Sequence, residues 1–200
     1  MPDERFTLLP EERFAPIRGA VLARVRDAAQ QVCGAAFGAV FDTGLERVLR
    51  NAFTVVGAHE GTVWLVDDSR EHLAPRWNSG PHADKLVGII RQPLGKGMVS
   101  MVAATQQPIC ENQVYRNARQ DKTADQTLGV MTCAMIAVPL GFGGEVRGVV
   151  SVVQLKAATS TDPDPPGFSG EHLVQIQHAA TVLGRLLDLR LLNLALGLSD

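Results

Sequence analysis

The residues of this chain with the most chemistry to offer are three cysteines, Cys33, Cys110 and Cys133. A cysteine thiolate can serve as a nucleophile or a redox centre. No two of the three form a CxxC pair, however, and Cys110 and Cys133 fall in runs that read as strands, where a free cysteine packs as a small hydrophobe. The five histidines are scattered. His172 and His178, the closest pair on one helical stretch, are six residues apart and so lie on different faces, which argues against a metal site. There is no GxSxG elbow, and Gly95-Lys96-Gly97 lacks both the P-loop spacing and the Ser or Thr directly after its lysine. It reads as a tight turn feeding a helix N-terminus, an end that can still hold an anion.

Methionine is placed less evenly. Apart from Met1, the methionines are Met98, Met101, Met131 and Met135, on the helix after that turn and on a strand expected to face it. Core filling accounts for them, because methionine packs irregular gaps well. The alternative is a soft pocket wall which, with the lone Tyr115 and with Trp77, would suit a flat apolar or mixed-polarity ligand.

The elements that must position these residues follow from hydrophobic periodicity. Phe14, Ile17, Val21, Val25, Ala28 and Val32 recur at spacings of three and four, predicting a helix from about Pro10 to Ala36 with Arg18, Arg24 and Asp27 opposite. A second helix, from Asp42 to about Gly57, carries Leu45, Val48, Leu49, Ala52 and Val56 on one side. Thr62 to Val66 and His72 to Trp77 then form a hairpin about Asp67, Asp68 and Ser69. After Gly95 to Gly97 a helix runs from Met98 to about Thr105, stopped by Pro108, and a short strand covers Ile109 to Glu111. The polar stretch Asn112 to Gly129 is long for a loop within one domain, a length that signals function or a hidden helical turn. Strands Met131 to Leu140 and Glu145 to Leu155 flank a Gly141 to Gly144 turn. Past a loop with three prolines, Ser169 is placed to cap a closing helix that reaches about Leu196.

That order predicts an α+β fold, an antiparallel sheet with helices on one side. The closing helix has Leu173, Ile176, Ala180, Leu183, Leu187 and Leu194 on a near-heptad seam, and Leu191 to Leu198 is leucine-rich on several faces. One core rarely absorbs so much, so a homodimer joined by the terminal helices is expected, with Leu183 and Leu187 in the seam.

Composition narrows the classes. The 200 residues are 46% hydrophobic and 20% charged, which excludes a disordered chain. Nineteen Lys and Arg against 21 Asp and Glu, with no basic stripe, make nucleic acid and anionic membrane poor partners. The opening residues, Met1 to Glu12, are acidic and contain no run suited to a signal peptide, and the uncharged window Gln126 to Gly144 holds Pro139 and four glycines and reads as a buried strand. With no disulfide framework, a cytoplasmic protein is expected.

Several landmarks in order resemble the GAF domain family, over about Asp42 to Leu187. Gly95-Lys96-Gly97-Met98-Val99 followed by Ala103-Ala104, Gln107-Pro108 and the Ile109 strand is similar to the family's glycine-rich helix entry and exit. Val138-Pro139-Leu140, a turn, and Val146-Arg147-Gly148-Val149-Val150 resemble its strand pair, and Phe168-Ser169 its closing element. Independently, Pro139 suits an edge or bulge, and Gly148 suits a close backbone approach.

The resemblance implies a GAF/PAS-like antiparallel sheet of about six strands, with helices on one face and an irregular ligand-side segment, here Asn112 to Gly129, on the other. It divides the chain into a helical extension over 1–41, the domain over 42–187 and the end of a helix over 188–200. Cyclic-nucleotide-binding members carry an Asn-Lys, Phe, Asp-Glu signature that this loop matches only partly, through Asn117, Asp121, Lys122, Asp125 and Gln126. No Cys-His pair suits a bilin. Members that reduce free methionine sulfoxide place cysteines in the entry helix and long loop, where this chain has Val99, Ser100 and no cysteine between Glu111 and Thr132.

The reading is therefore a non-enzymatic sensory module of unknown cofactor, contacting a small molecule through Trp77, Met98, Asn112, Tyr115, Asp125 and Met135. It is expected to dimerise and, with no output domain in these residues, to signal to a separate protein. A methionine sulfoxide reductase-like thiol enzyme and a dimerisation module with a collapsed pocket are the alternatives.

Overall fold

The computed structural model describes residues 11–34 and 36–198; Met1 to Pro10, Ala35 and the last two residues lie outside the described residues, and with them most of the acidic opening segment. In chain order, the helices and strands are α1 (Ala15–Cys33), α2 (Phe37–Val40), α3 (Thr43–Val55), β1 (Glu60–Val66), β2 (His72–Asn78), α4 (Ala83–Leu86), β3 (Gln92–Pro93), α5 (Met98–Thr105), β4 (Ile109–Glu111), α6 (Thr123–Leu128), β5 (Val130–Phe142), β6 (Glu145–Ala157) and α7 (Gly170–Leu196). Six strands form one sheet in the order β3-β2-β1-β6-β5-β4, every pair antiparallel.

Local chemistry sets the element ends. Asp42 caps α3, its Oδ1 accepting from the N–H groups of Gly44 and Leu45 at 3.0 Å each. Ser169 caps α7 in a capping box: its Oγ accepts from the His172 N–H at 3.2 Å while His172 Nδ1 accepts from the Ser169 N–H at 3.3 Å. The β5–β6 hairpin closes on Gly143 and Gly144, both with positive φ, as a tight turn between twisted strands requires. Pro139 lies beyond the last β5 residue that pairs with β4, Ala137, so its missing N–H leaves no gap in that ladder. Gly148 meets a close backbone approach from β1, where a Cβ would overlap the carbonyl oxygen of Trp64.

The main core lies between one sheet face and α1, α3 and α7. Leu49, Leu65, Ile136, Leu140, Ile176, Leu183 and Leu187 are sealed in it, each burial worth about 1.5–3 kcal/mol. At Gly184 the α7 backbone rests on the Gly141 carbonyl, with no room for a Cβ. Among the described residues no helix is long and apolar enough to cross a membrane.

Three expectations about helix faces change. Leu183 and Leu187 are not a dimer seam; they are buried in this chain's own core, and Leu194 of the same predicted stripe is exposed. On α1 the buried line is Val21, Val25, Ala29 and Val32, with Ile17 exposed and Ala29 taking the place of Ala28. On α3 Leu45, Leu49 and Phe53 face inward while Val48 is exposed. The stretch from Asn112 to Gly129 contains the hidden helical turns that its length suggested, a 3-10 turn at Val114–Arg116 and α6.

Candidate functional site

On the sheet face opposite the helical core, alternate residues of the central strands converge. β1 delivers Glu60, Thr62 and Trp64, and β6 delivers Ser151, Val153 and Leu155, each set two residues apart as a pleated strand requires. The face of α5 carrying Met98 and Val99 forms one side, and the segment from Gln120 through α6 lies across the top. Together they enclose a cavity of about 90 Å³. A cavity of about 150 Å³ holds benzene, so this space takes something smaller than an aromatic ring unless the cover moves.

Two strand irregularities decide which side chains reach the cavity. On β5 the ladder pairs Thr132 with Leu155 and Ala134 with Gln154, leaving Cys133 as an extra residue. That bulge puts Thr132 and Met135, three residues apart, on the cavity face. On β2 the extra residue is Arg76, since Trp64 pairs with Pro75 and Val63 with Trp77.

The polar groups of the wall are tied to one another. Asn78 Nδ2 donates to Thr62 Oγ1 at 2.9 Å and to Glu60 Oε2 at 3.3 Å, and His82 Nδ1 closes on Glu60 Oε1. A Cβ on Gly80 would overlap the Glu60 side chain, so glycine there lets the chain turn tightly over this buried carboxylate. Trp64 Nε1 donates to Ser151 Oγ at 2.9 Å, which fixes the indole as part of the floor.

The cover is held by two carboxylates. Asp125 accepts from the Thr132 N–H at 2.8 Å, Thr132 Oγ1 at 2.7 Å and Gln120 Nε2 at 2.9 Å, joining α6 to β5. Asp121 accepts from the Thr123 hydroxyl at 2.6 Å and backbone N–H at 2.9 Å, and pairs with Lys96 at 3.1 Å. These bonds, the Thr123 hydroxyl first, hold its carboxyl below the usual carboxylate range. The Lys96 pair ties the cover to the glycine turn, where Gly97 has φ +82° and a Cβ would overlap Gln92 Nε2.

A family model for the GAF domain matches residues 39–188. The chain belongs to the GAF domain family. A search of curated proteins returns no match. Among solved structures, this GAF domain is similar to the GAF domain of a phosphoenolpyruvate-protein phosphotransferase from Coxiella burnetii, at 18% identity over 90% of this chain and 97% of that one with a TM-score of 0.61. It also resembles the corresponding domain from Acinetobacter, at 14% identity, 90% and 98% coverage and a TM-score of 0.58. A third similar structure is free methionine-R-sulfoxide reductase from Neisseria meningitidis in complex with its substrate, at 17% identity, 95% and 99% coverage and a TM-score of 0.54. At such identities the likeness establishes the fold alone.

Of the six residues expected to contact a ligand, Met98, Asp125 and Met135 line the cavity of this GAF domain. The other three are elsewhere. Trp77 lies on the helical side, its ring centroid 5.3 Å from that of Phe41 and 6.1 Å from that of Phe53, because the Arg76 bulge reverses the alternation set by Leu73 and Pro75. Asn112 turns toward the entry to α7, where Nδ2 donates to the Phe168 carbonyl at 2.9 Å and Oδ1 accepts from the Phe168 N–H at 2.8 Å. Tyr115 donates its hydroxyl to Asp164 Oδ2 at 2.8 Å, outside the cavity. Trp64, Glu60, Thr132 and Gln120 are wall residues the sequence reading did not single out. Parity from Val63 and Leu65, both strongly apolar, could have placed Trp64 on the opposite face.

None of the cysteines lines the cavity. Cys33 and Cys133 are buried, whereas Cys110 is exposed, contrary to its expected role as a buried hydrophobe. Loss of solvent around the sulfur pushes all three thiols above the ordinary cysteine range, with Asp164 adding to the effect at Cys133 and Glu111 at Cys110.

Proposed function

We propose that this GAF domain is a non-enzymatic, small-molecule-binding sensory module of a reducing compartment, which pairs with a second copy and passes the bound state to a separate output protein. The observation that carries the reading is the cavity between the sheet and the Gln120–Leu128 cover: an apolar floor with a few oriented polar groups, the usual composition of a ligand site. Binding would tighten the cover, whose ties to the body run through the side chains of Asp121 and Asp125. Pairing would use α7, where Val174, Val182, Leu189 and Leu196 are exposed at spacings of eight, seven and seven, the geometry of a seam between two helices.

The test of binding is a thermal-shift screen of small organic fragments, with a ligand at about 100 times its dissociation constant adding roughly 2.7 kcal/mol of stability. Stabilisation that is lost in Met98→Trp, which fills the cavity, supports the reading; a hit that stabilises this variant as strongly as the parent places binding elsewhere. The thiol-enzyme alternative is answered by a thioredoxin-coupled assay with free methionine sulfoxide. No turnover is expected, since a nucleophilic thiolate must reach the substrate and no cysteine sulfur lines the cavity.

A further inference from the structure

The chemistry of the cavity wall constrains what it can take, given that the cavity is the binding site as proposed above. Its ionisable lining residues, Glu60, Asp121 and Asp125, are all acidic, and no lysine, arginine or histidine among the described residues lines it. The basic side chains bonded to these carboxylates are not part of the lining: His82 bonds Glu60, and Lys96 pairs with Asp121 at 3.1 Å. An anionic ligand would therefore place like charge against the wall with no cation of the wall to meet it. That disfavours phosphates, cyclic nucleotides and carboxylates as a class.

A second observation points the same way. Gln120 Nε2 donates to Asp125 Oδ2 at 2.9 Å, which fixes the orientation of the amide, because the flipped form would set its oxygen against a carboxylate oxygen. The other end, Gln120 Oε1, is then an acceptor sealed from solvent with no partner. Buried acceptors are normally satisfied, so this part of the wall is short of a donor rather than of an acceptor. Trp64, Met98, Leu128 and Met135 supply the apolar remainder.

We infer that the cavity binds a small organic cation, a primary ammonium or amidinium group carried on a compact apolar body. The cationic head donates toward Glu60, Asp125 and Gln120, and the body packs on Trp64 and the methionines. At about 90 Å³, well short of the space that holds benzene, the cavity fits a very short unbranched alkyl amine such as ethylamine.

The experiment compares three probes of nearly one shape at matched ionic strength: ethylamine, ethanol and acetate, each titrated to millimolar concentrations with thermal shift and amide exchange as readouts. The amine should raise the melting temperature and slow exchange over residues 112–129, the alcohol should act at least fivefold more weakly, and the carboxylate should do nothing. Glu60→Gln and Asp125→Asn should reduce the amine's advantage over the alcohol within the same variant, a ratio that general destabilisation does not move. If the alcohol or the carboxylate binds as well as the amine, and Met98→Trp abolishes that binding, the cavity stands and the cation inference fails. If Met98→Trp leaves the responses intact, or none of the three probes acts, both fail.

Discussion

A Cβ at Gly148 would overlap the Trp64 carbonyl and the Leu65 side chain, and backbone cannot step aside as a flexible side chain can. Gly148→Ala should therefore destabilise the chain by about 1–3 kcal/mol, read as a lower urea midpoint at unchanged slope. Gly19, in the second turn of α1, has no heavy atom within 4 Å of its would-be Cβ, and its φ is not in the left-handed region. Gly19→Ala should stabilise by roughly 0.5–1 kcal/mol, because alanine loses less backbone entropy in a helix. The two substitutions are chemically identical, and the sign of each follows from its surroundings. The glycines themselves stand out in the sequence; which of them faces a wall and which faces water is set by neighbours 80 or more residues away at Gly148, and by open space at Gly19.

At the scale of elements, the segment from Asn112 to Gly129 is fastened by carboxylates that the fold keeps ionised. Glu111 accepts from Asn117 at 2.9 Å and from the Gln113 N–H at 2.9 Å, bonds that hold it below the usual carboxylate range, as the Thr123 hydroxyl and Lys96 do for Asp121. A group whose pKa is lowered by folding contributes its full stabilisation above its unfolded value, about 4, and loses it as the pH falls through the lower folded value. Exchange over residues 112–129, corrected for intrinsic rates, should hold steady from about pH 5 to 8 and accelerate below about pH 4. Asp121→Ala should raise it roughly tenfold at neutral pH, since hydrogen bonds to a charged group are worth about 1.5–3 kcal/mol. Equal acceleration across β5 and β6 would mean global unfolding and would defeat the idea of a local latch. Most elements were legible in the sequence, because alternation and threefold-to-fourfold spacing are local properties: the hairpins, α5 after its glycine turn and α7 with its Ser169 cap all lie where periodicity places them. The site was legible only in part. Met98, Asp125 and Met135 reach the cavity, but bulges at Arg76 and Cys133 reverse strand faces within the β1–β2 and β5–β6 hairpins, and alternation along a strand does not reveal an extra residue. Asn112 and Tyr115 are claimed by Phe168 and Asp164, about 50 residues further along the chain.

For the whole molecule, the proposed pairing turns on which apolar residues α7 leaves exposed. The exposed line on α7 predicts that Val182→Glu with Leu189→Glu lowers the mass measured by light scattering from dimer to monomer while the circular dichroism spectrum is kept. Leu183→Glu should instead unfold the chain, because an unpaired carboxylate in its core costs several kcal/mol. A monomer mass for the parent at micromolar concentration would end the dimer proposal. The bulge at Arg76 has a consequence for how such domains diversify. Deleting that one residue would restore plain alternation on β2 and leave Trp77 opposite Val63 in the helical core and Asn78 opposite Thr62 in the cavity wall, the faces they already occupy. A single codon gained or lost at the bulge can thus change the length of β2 while the aromatic stays in the core and the amide in the wall, with the six-stranded order intact. Domains that superimpose on this one can therefore carry the same wall on β2 strands of different length, and aligned positions on β2 are comparable only when their bulges are counted first.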